Sequence, residues 1–182
     1  MKIIYFKEID STMNAAKKFL HKGYPEWTVV VAKTQTRGRG QFGRKWISPK
    51  GGLYFSVILK PKFATNDVSK LTLIGTMSIA KVLNNLFGLP AKVKWPNDIL
   101  IKNRKISGVL IESEIKSNKL IWAVIGAGIN VNTDMEGLKD SKIICTSIKN
   151  ELKITVDENI LLKEVLSEMK KCYLLINKKL PT

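Results

Sequence analysis

Histidine, cysteine and acidic side chains are scarce in this chain of 182 residues: one His, two Cys and 15 Asp plus Glu stand against 31 Lys plus Arg. Cys145 and Cys172 lie far apart, with no second Cys or His at metal-ligand spacing, which argues against a zinc site and leaves two buried or half-buried thiols as the simplest reading. A Cys-His nucleophile or a Ser-His-Asp triad would have to recruit the solitary His21, which falls near an expected helix end. No apolar run reaches the roughly 18 to 20 residues that span a bilayer, and the opening MKIIYFKEIDST meets charge too soon for a signal peptide. A cytoplasmic protein without a membrane partner is expected.

The chain is long enough for one substantial core and short for two, with 45% hydrophobic residues. Its formal charge of +16 favours an anionic partner: a nucleic acid, a nucleoside triphosphate or an acidic protein. Composition alone does not choose among these, and a solvated lysine-rich surface is the plainer alternative.

KIIYFK (2–7) reads as a strand, followed by a helix capped at Asp10 or Ser11, with Ala15, Ala16, Phe19 and Leu20 on its apolar face and Gly23 beyond its end. WTVVVAK (27–33) and GLYFSVILK (52–60) read as strands. From Ser69 to Phe87, Leu71, Ile74, Met77, Ile79, Leu83 and Leu86 recur at helical spacing before Gly88 and Pro90, which predicts a core helix. Segments 91–95, 98–101, 105–113 and 120–131 then predict strands, joined at KNRK and KSNK by hairpin turns. A last helix over 157–177, with Ile160, Leu161, Val165, Leu166, Met169, Tyr173 and Ile176 inward, ends at KKLPT. Helices at both ends of a mixed, mostly antiparallel sheet define an α+β class.

Three glycine-bearing stretches carry the candidate chemistry. Between Lys33 and Lys50 the loop holds Lys33, Arg37, Arg39, Arg44, Lys45 and Lys50 and no acid. Its GRGQFG spells a dinucleotide fingerprint, but it runs into a strand instead of opening a helix, so that reading fails on context. Backbone N–H groups and guanidinium groups in such a loop suit a phosphorylated ligand, whereas an unliganded basic loop is the bland alternative. In KWPNDILIKNRKISG (94–108), Asn97 and Asp98 sit at a bend after Pro96, as a plain turn or as a carboxylate poised for Mg²⁺, a ribose or an amine. In GAGIN (126–130), two glycines within an apolar strand point either to a flat ligand against the backbone or to a bulge.

DST (10–12), TQTRGRG (34–40), GRKW (43–46), GGLYFS (51–56), KWPNDI (94–99), RKISGVLIE (104–112) and GAGINV (126–131) together resemble the biotin protein ligases, in the family's order and approximate spacing. The resemblance implies a fold related to the catalytic domain of class II aminoacyl-tRNA synthetases and a two-step reaction with ATP and Mg²⁺. Biotin is activated as biotinyl-5′-AMP and then passed to a lysine of a biotin carboxyl carrier domain, so no nucleophilic side chain is needed. It also implies site residues. Ser11, Thr12, Met13 and Gln35 fall on the biotin side, with Gly38, Arg39, Gly40 and Gln41 in the loop that closes over biotin and its carboxylate. Trp46 walls the pocket, Gly108 and Gly126 line the biotin slot, and the strand after the loop contributes to the floor. Lys105 stands between carboxylate and α-phosphate, Arg39 and Asp98 are further catalytic candidates, and Arg44, Asn97, Asp98, Lys105 and Asn130 fall on the ATP side.

At Gln41 most of the family carries arginine, which predicts weaker retention of the adenylate. The whole of 1–182 reads as the catalytic domain, without the N-terminal helix-turn-helix and the C-terminal SH3-like domain found in some relatives, so no DNA partner is expected. A homodimer through sheet edges fits the family's habits. Two alternatives stay open: a lipoate-protein ligase with a different pocket, and a basic nucleic-acid-binding module resting on the charge and on RKW.

Overall fold

The computed structural model describes residues 1–61, 68–135 and 144–178. Strand β1 (Lys2–Phe6) leads to helix α1 (Thr12–His21), then to β2 (Thr28–Ala32) and β3 (Gly52–Leu59). Helix α2 (Val68–Phe87) precedes four strands, β4 (Ala91–Lys94), β5 (Asp98–Ile101), β6 (Arg104–Lys116) and β7 (Lys119–Asn130). A short helix α3 (Ile148–Leu152) and the long α4 (Glu158–Lys178) follow.

All seven strands join one sheet in the order β1-β2-β3-β7-β6-β5-β4, in which only β1 and β2 run parallel. The α+β expectation therefore holds. Both expected hairpins close with two residues in the left-handed region, Lys102 and Asn103 after β5 and Ser117 and Asn118 after β6. That geometry matches the right-handed twist of the strands it joins.

Strand alternation sorts the side chains of β7 between two environments. Ala123, Ile125, Ala127 and Ile129 enter the large core beneath α2 and α4, which also holds Val109 of β6 and Phe55, Val57 and Leu59 of β3. Val124 faces the other way, with Val30 and Ile58, into the smaller core under Met13, Ala15, Ala16 and Leu20 of α1. The same alternation puts Gly126, Gly128 and Asn130 on the α1 side.

Three apolar positions expected in the core are solvent-facing. Met77 is 57%, Leu86 47% and Ile160 54% exposed, because the buried stripe of α2 runs through Leu71, Ile74, Ile79 and Leu83 and that of α4 through Leu161, Leu162, Val165 and Met169. A 3.6-residue period covers only part of the helix circumference, and these side chains lie off the arc that meets the sheet. The expected end of the last helix at KKLPT falls partly on residues 179–182, outside the described residues. Helix α3 has no counterpart among the expectations; at five residues it is too short to show periodicity.

Helix α2 crosses the sheet closely at Gly75, where an added Cβ would stand 2.9 Å from Val109 Cγ1. Gly75→Val should therefore lower unfolding free energy by about 1–3 kcal/mol through overpacking, read as a shifted midpoint in urea denaturation.

Candidate active site

On the α1 side, the sheet has a floor almost without side chains. Gly108 of β6 pairs directly with Gly128 of β7, and Gly126 pairs with Ser56 of β3 on one side and Leu110 on the other. The Trp46 indole lies across this floor: a Cβ on Gly128 would come within 2.4 Å of its Nε1, and one on Gly108 within 3.0 Å of its Cζ3. A Cβ on Gly126 would strike Met13 Sδ at 2.4 Å. The glycines first make room for Trp46 and Met13, and these two side chains bound the slot that remains. Trp46 Nε1 is buried there without a protein acceptor among the described residues.

The start of α1 forms a polar wall. Ser11 occupies the N-cap position but makes no side-chain capping bond. Instead the Thr12 backbone N–H donates to Gln35 Oε1 at 2.8 Å, and the Thr12 hydroxyl donates to the same oxygen at 3.1 Å. Ser56 Oγ donates to Thr12 Oγ1 at 2.8 Å, while Gln35 Nε2 donates to Ser48 Oγ at 2.9 Å and Ser48 donates to Trp46 O at 3.1 Å. Each partner fixes the next, so the Gln35 amide has one orientation. Donor and acceptor capacity is left over on Gln35 Nε2 and Thr12 Oγ1 for a ligand.

The basic loop is a compact hairpin. Trp46 N–H donates to Gly38 O at 2.9 Å and Gly40 N–H to Arg44 O at 2.7 Å, around a 3₁₀ tip at Gln41–Gly43 with Phe42 at φ 57°. Gly38 is buried under the turn, where a Cβ would meet Trp46 O at 2.5 Å and Ser48 Oγ at 2.6 Å. Arg44 and Lys45 reach into solvent, and the Arg44 guanidinium stands 6.0 Å from the centre of the exposed Phe42 ring.

Opposite the hairpin, Lys105 Nζ lies 2.7 Å from Asp98 Oδ1 and 5.2 Å from the centre of the Trp46 ring. A shift in register between Ile99 and Leu100 accompanies the pairing of β5 with this end of β6. Beyond the end of β7, residues 144–146 take its place beside β6: Lys105 N–H donates to Ile144 O at 2.8 Å, and Thr146 N–H donates to Lys105 O at 2.9 Å. The buried Asn130 amide donates to Thr146 O at 3.0 Å, and Asn97 Nδ2 donates to Val109 O at 3.2 Å. These amides brace the backbone around the ion pair.

A second charged cluster links the hairpin to the body of the protein. Arg39 Nη2 donates to Asn14 Oδ1 at 2.8 Å and to Glu112 Oε1 at 3.0 Å, while Lys17 holds Glu112 Oε2. Burial pushes the Glu112 carboxyl up, but the bonds from Lys17 and Arg39 outweigh it and hold the group below its ordinary value.

All the site residues expected from the sequence except Gly38 line this one cleft, and Gly38 supports it from beneath. β6 and β7 supply the floor, and β3 reaches it through Ser56 below Thr12. Ser48, Ser56 and Glu112 were not among the expected residues, and Gly128 was marked only as one of the two GAGIN glycines, with no separate role. Gly128 belongs to the same glycine pair as Gly126 and faces the same side, so strand period was the signal that marked it. His21 lies outside the cleft, edge-on to Trp122 with ring centres 6.2 Å apart.

A concave slot with an apolar floor, a polar end wall and a cation at its other end is the form of a small-molecule site, with the hairpin along its rim. The sequence matches the biotin/lipoate A/B protein ligase family over residues 5–130, and the chain belongs to that family. It is 34% identical over 173 residues to the bifunctional ligase/repressor BirA of Bacillus spizizenii, covering 94% of this chain and 53% of the relative. It is 31% identical over 124 residues to a biotin–acetyl-CoA-carboxylase ligase of Paracoccus denitrificans, covering 67% of this chain and 51% of the relative. The structure resembles a biotin protein ligase from Aquifex aeolicus in complex with biotin and ATP, with a TM-score of 0.82, 34% identity and coverage of 98% of this chain and 72% of that one. The chain thus spans about half the length of these curated relatives. Among the described residues, no helix is long and apolar enough to cross a membrane.

Gly128→Ala should expel the Trp46 indole from the floor, since a methyl carbon at 2.4 Å leaves it no place. The expected result is a displaced Trp46 indole N–H resonance in NMR spectra and loss of small-ligand binding, with the overall fold retained.

Proposed function

We propose that this chain is the catalytic part of an ATP-dependent biotin ligase, which forms biotinyl-5′-AMP and passes biotin to a lysine of a biotin carboxyl carrier domain. The observation that carries this reading is the Lys105–Asp98 pair at one end of a glycine-floored slot whose other end is the Thr12–Gln35 network. The ureido ring of biotin offers one carbonyl and two N–H groups. Gln35 Nε2, Thr12 Oγ1 and the buried Ser11 hydroxyl supply matching partners, and without them burial of that ring would be costly. The tetrahydrothiophene ring and valeryl chain would run between Met13 and Trp46, so that the carboxylate approaches Lys105.

In the first step a biotin carboxylate oxygen bonds to the α-phosphorus of ATP and pyrophosphate leaves. Two anions must meet, and the Lys105 ammonium lowers the cost where their charge concentrates. Asp98 holds that ammonium in place. Arg44, Asn97 and Asn130 are proposed on the nucleotide side, and Gly40 and Gln41 over the adenylate. Among the described residues no three His, Cys, Asp or Glu side chains converge to hold a metal ion. A Mg²⁺ ion entering with ATP would keep to phosphate and water oxygens and neutralise charge there.

In the second step the carrier lysine, with a reference pKa of about 10.4, must lose a proton before its nitrogen attacks the acyl carbon and AMP departs. Asp98 is the carboxylate proposed to orient that amine or accept its proton. The net charge of +16 favours an acidic carrier.

Titration calorimetry with biotin, followed by ATP·Mg²⁺ and detection of pyrophosphate and biotinyl-adenylate, tests the proposal; no heat with biotin would overturn it, and binding of lipoate instead would move the substrate within the family. Lys105→Met should slow adenylate formation by about 10²- to 10³-fold, the loss seen when one preorganised donor to developing charge is removed. Asp98→Ala should impair transfer from preformed biotinyl-adenylate, and near-normal transfer would remove its role in the second step. Gln41→Arg should release the adenylate more slowly than the parent chain; equal release rates would show that position 41 has no part in retention.

A further inference from the structure

We propose that Glu112 is a positioning residue: from β6 it anchors Arg39 and thereby holds the basic hairpin over the cleft before any substrate arrives. The inference rests on the ligase reading only for its consequence in catalysis. The hairpin's internal bonds, Trp46 to Gly38 and Gly40 to Arg44, set its shape and not its position. Its base is tied down by Gln35 and Ser48, and Trp46 lies on the floor. Nearer the tip, Arg44 and Lys45 are exposed at the rim of the cleft, and Arg39 makes a charged contact with the body of the protein.

That contact is built from three elements. Asn14 Nδ2 donates to Asp10 Oδ2 at 2.6 Å, which turns Asn14 Oδ1 toward Arg39. Glu112 lies on the cleft side of β6, two and four residues beyond Leu110 and Gly108, and divides its oxygens between Arg39 and Lys17. Arg39 Nη2 thus spends one hydrogen on α1 and the other on β6. Its guanidinium serves hairpin placement, and Lys105 remains the cation at the reacting atoms.

Hydrogen–deuterium exchange of the Gly40–Trp46 amides in the ligand-free chain is the first readout. Glu112→Ala should speed it about two- to fivefold, the range for a partly exposed charged contact. Glu112→Gln, which keeps an acceptor without the charge, should fall between, and Lys17→Met should stay near the parent. Arg39→Met, which also loses the Asn14 bond, should speed it at least as much as Glu112→Ala, and the double variant should go no further than Arg39→Met. In Glu112→Ala, release of preformed biotinyl-adenylate should accelerate in parallel, with the rate of its formation at saturating substrate nearly unchanged. If Glu112→Ala shifts the unfolding midpoint, Glu112→Gln is the deciding comparison. Parent-like exchange in a stably folded Glu112 variant, or equal acceleration by Lys17→Met, would overturn the proposal. Exchange is read without ligand, so a parent chain that fails to bind biotin would sink the ligase reading and leave this one standing.

Discussion

The absence of side chains at Gly108, Gly126 and Gly128 is the constraint on which the cleft depends. Elsewhere the sheet is filled on both faces, with Phe55 and Leu59 beneath α2 and α4 and Val30 and Ile58 beneath α1, and β7 shows the contrast within one strand: alanine and isoleucine on the face under α2 and α4, glycine on the face toward the hairpin. Glycine inside a strand costs packing and backbone entropy. Here that cost is offset by the long ladders that β7 makes with β3 and β6, and by the large core behind it. The rigid side of the sheet carries the stability that allows the other side to stay open.

On that floor, neutral and charged recognition are kept at opposite ends. Thr12, Gln35, Ser48 and Ser56 form a chain of neutral hydrogen bonds in which each donor is assigned, a wall suited to a polar but uncharged group. Lys105 and Asp98 sit at the far end, half-shielded by Trp46. A ligand with a neutral head, an apolar middle and an anionic tail would satisfy all three regions in one orientation. A nucleic-acid strand would not need the enclosed polar wall, so the geometry weighs against the basic-module alternative more than the net charge weighs for it.

The strands, the hairpin turns and the extents of the long helices were legible because period-2 and period-3.6 patterns distinguish the two kinds of element. Helix faces were legible only in part: Met77, Leu86 and Ile160 fit the period but lie off the packed arc, and nothing in a single helix says where its neighbour will sit. The site residues could be gathered from motif resemblance, whereas their connections could not. That Gln35 supplies the acceptor for the first N–H of α1 depends on a contact 23 residues distant along the chain. Glu112 looked like an ordinary polar residue near the end of an apolar strand, since its partners come from α1 and from the hairpin.

These long-range contacts share one feature, which bears on how the hairpin works. Both the neutral network and the Glu112 cluster tie the hairpin to the first turns of α1, through Thr12 at one end and Asn14 and Lys17 at the other. Helix α1 in turn packs on the sheet through Met13, whose sulfur fills the space above Gly126. A ligand that displaces Met13 or engages Thr12 would therefore act on the same helix that positions the hairpin, without touching Arg39. Coupling between the occupied slot and hairpin placement then needs no separate element: it follows from two walls of one cleft being built on a single helix.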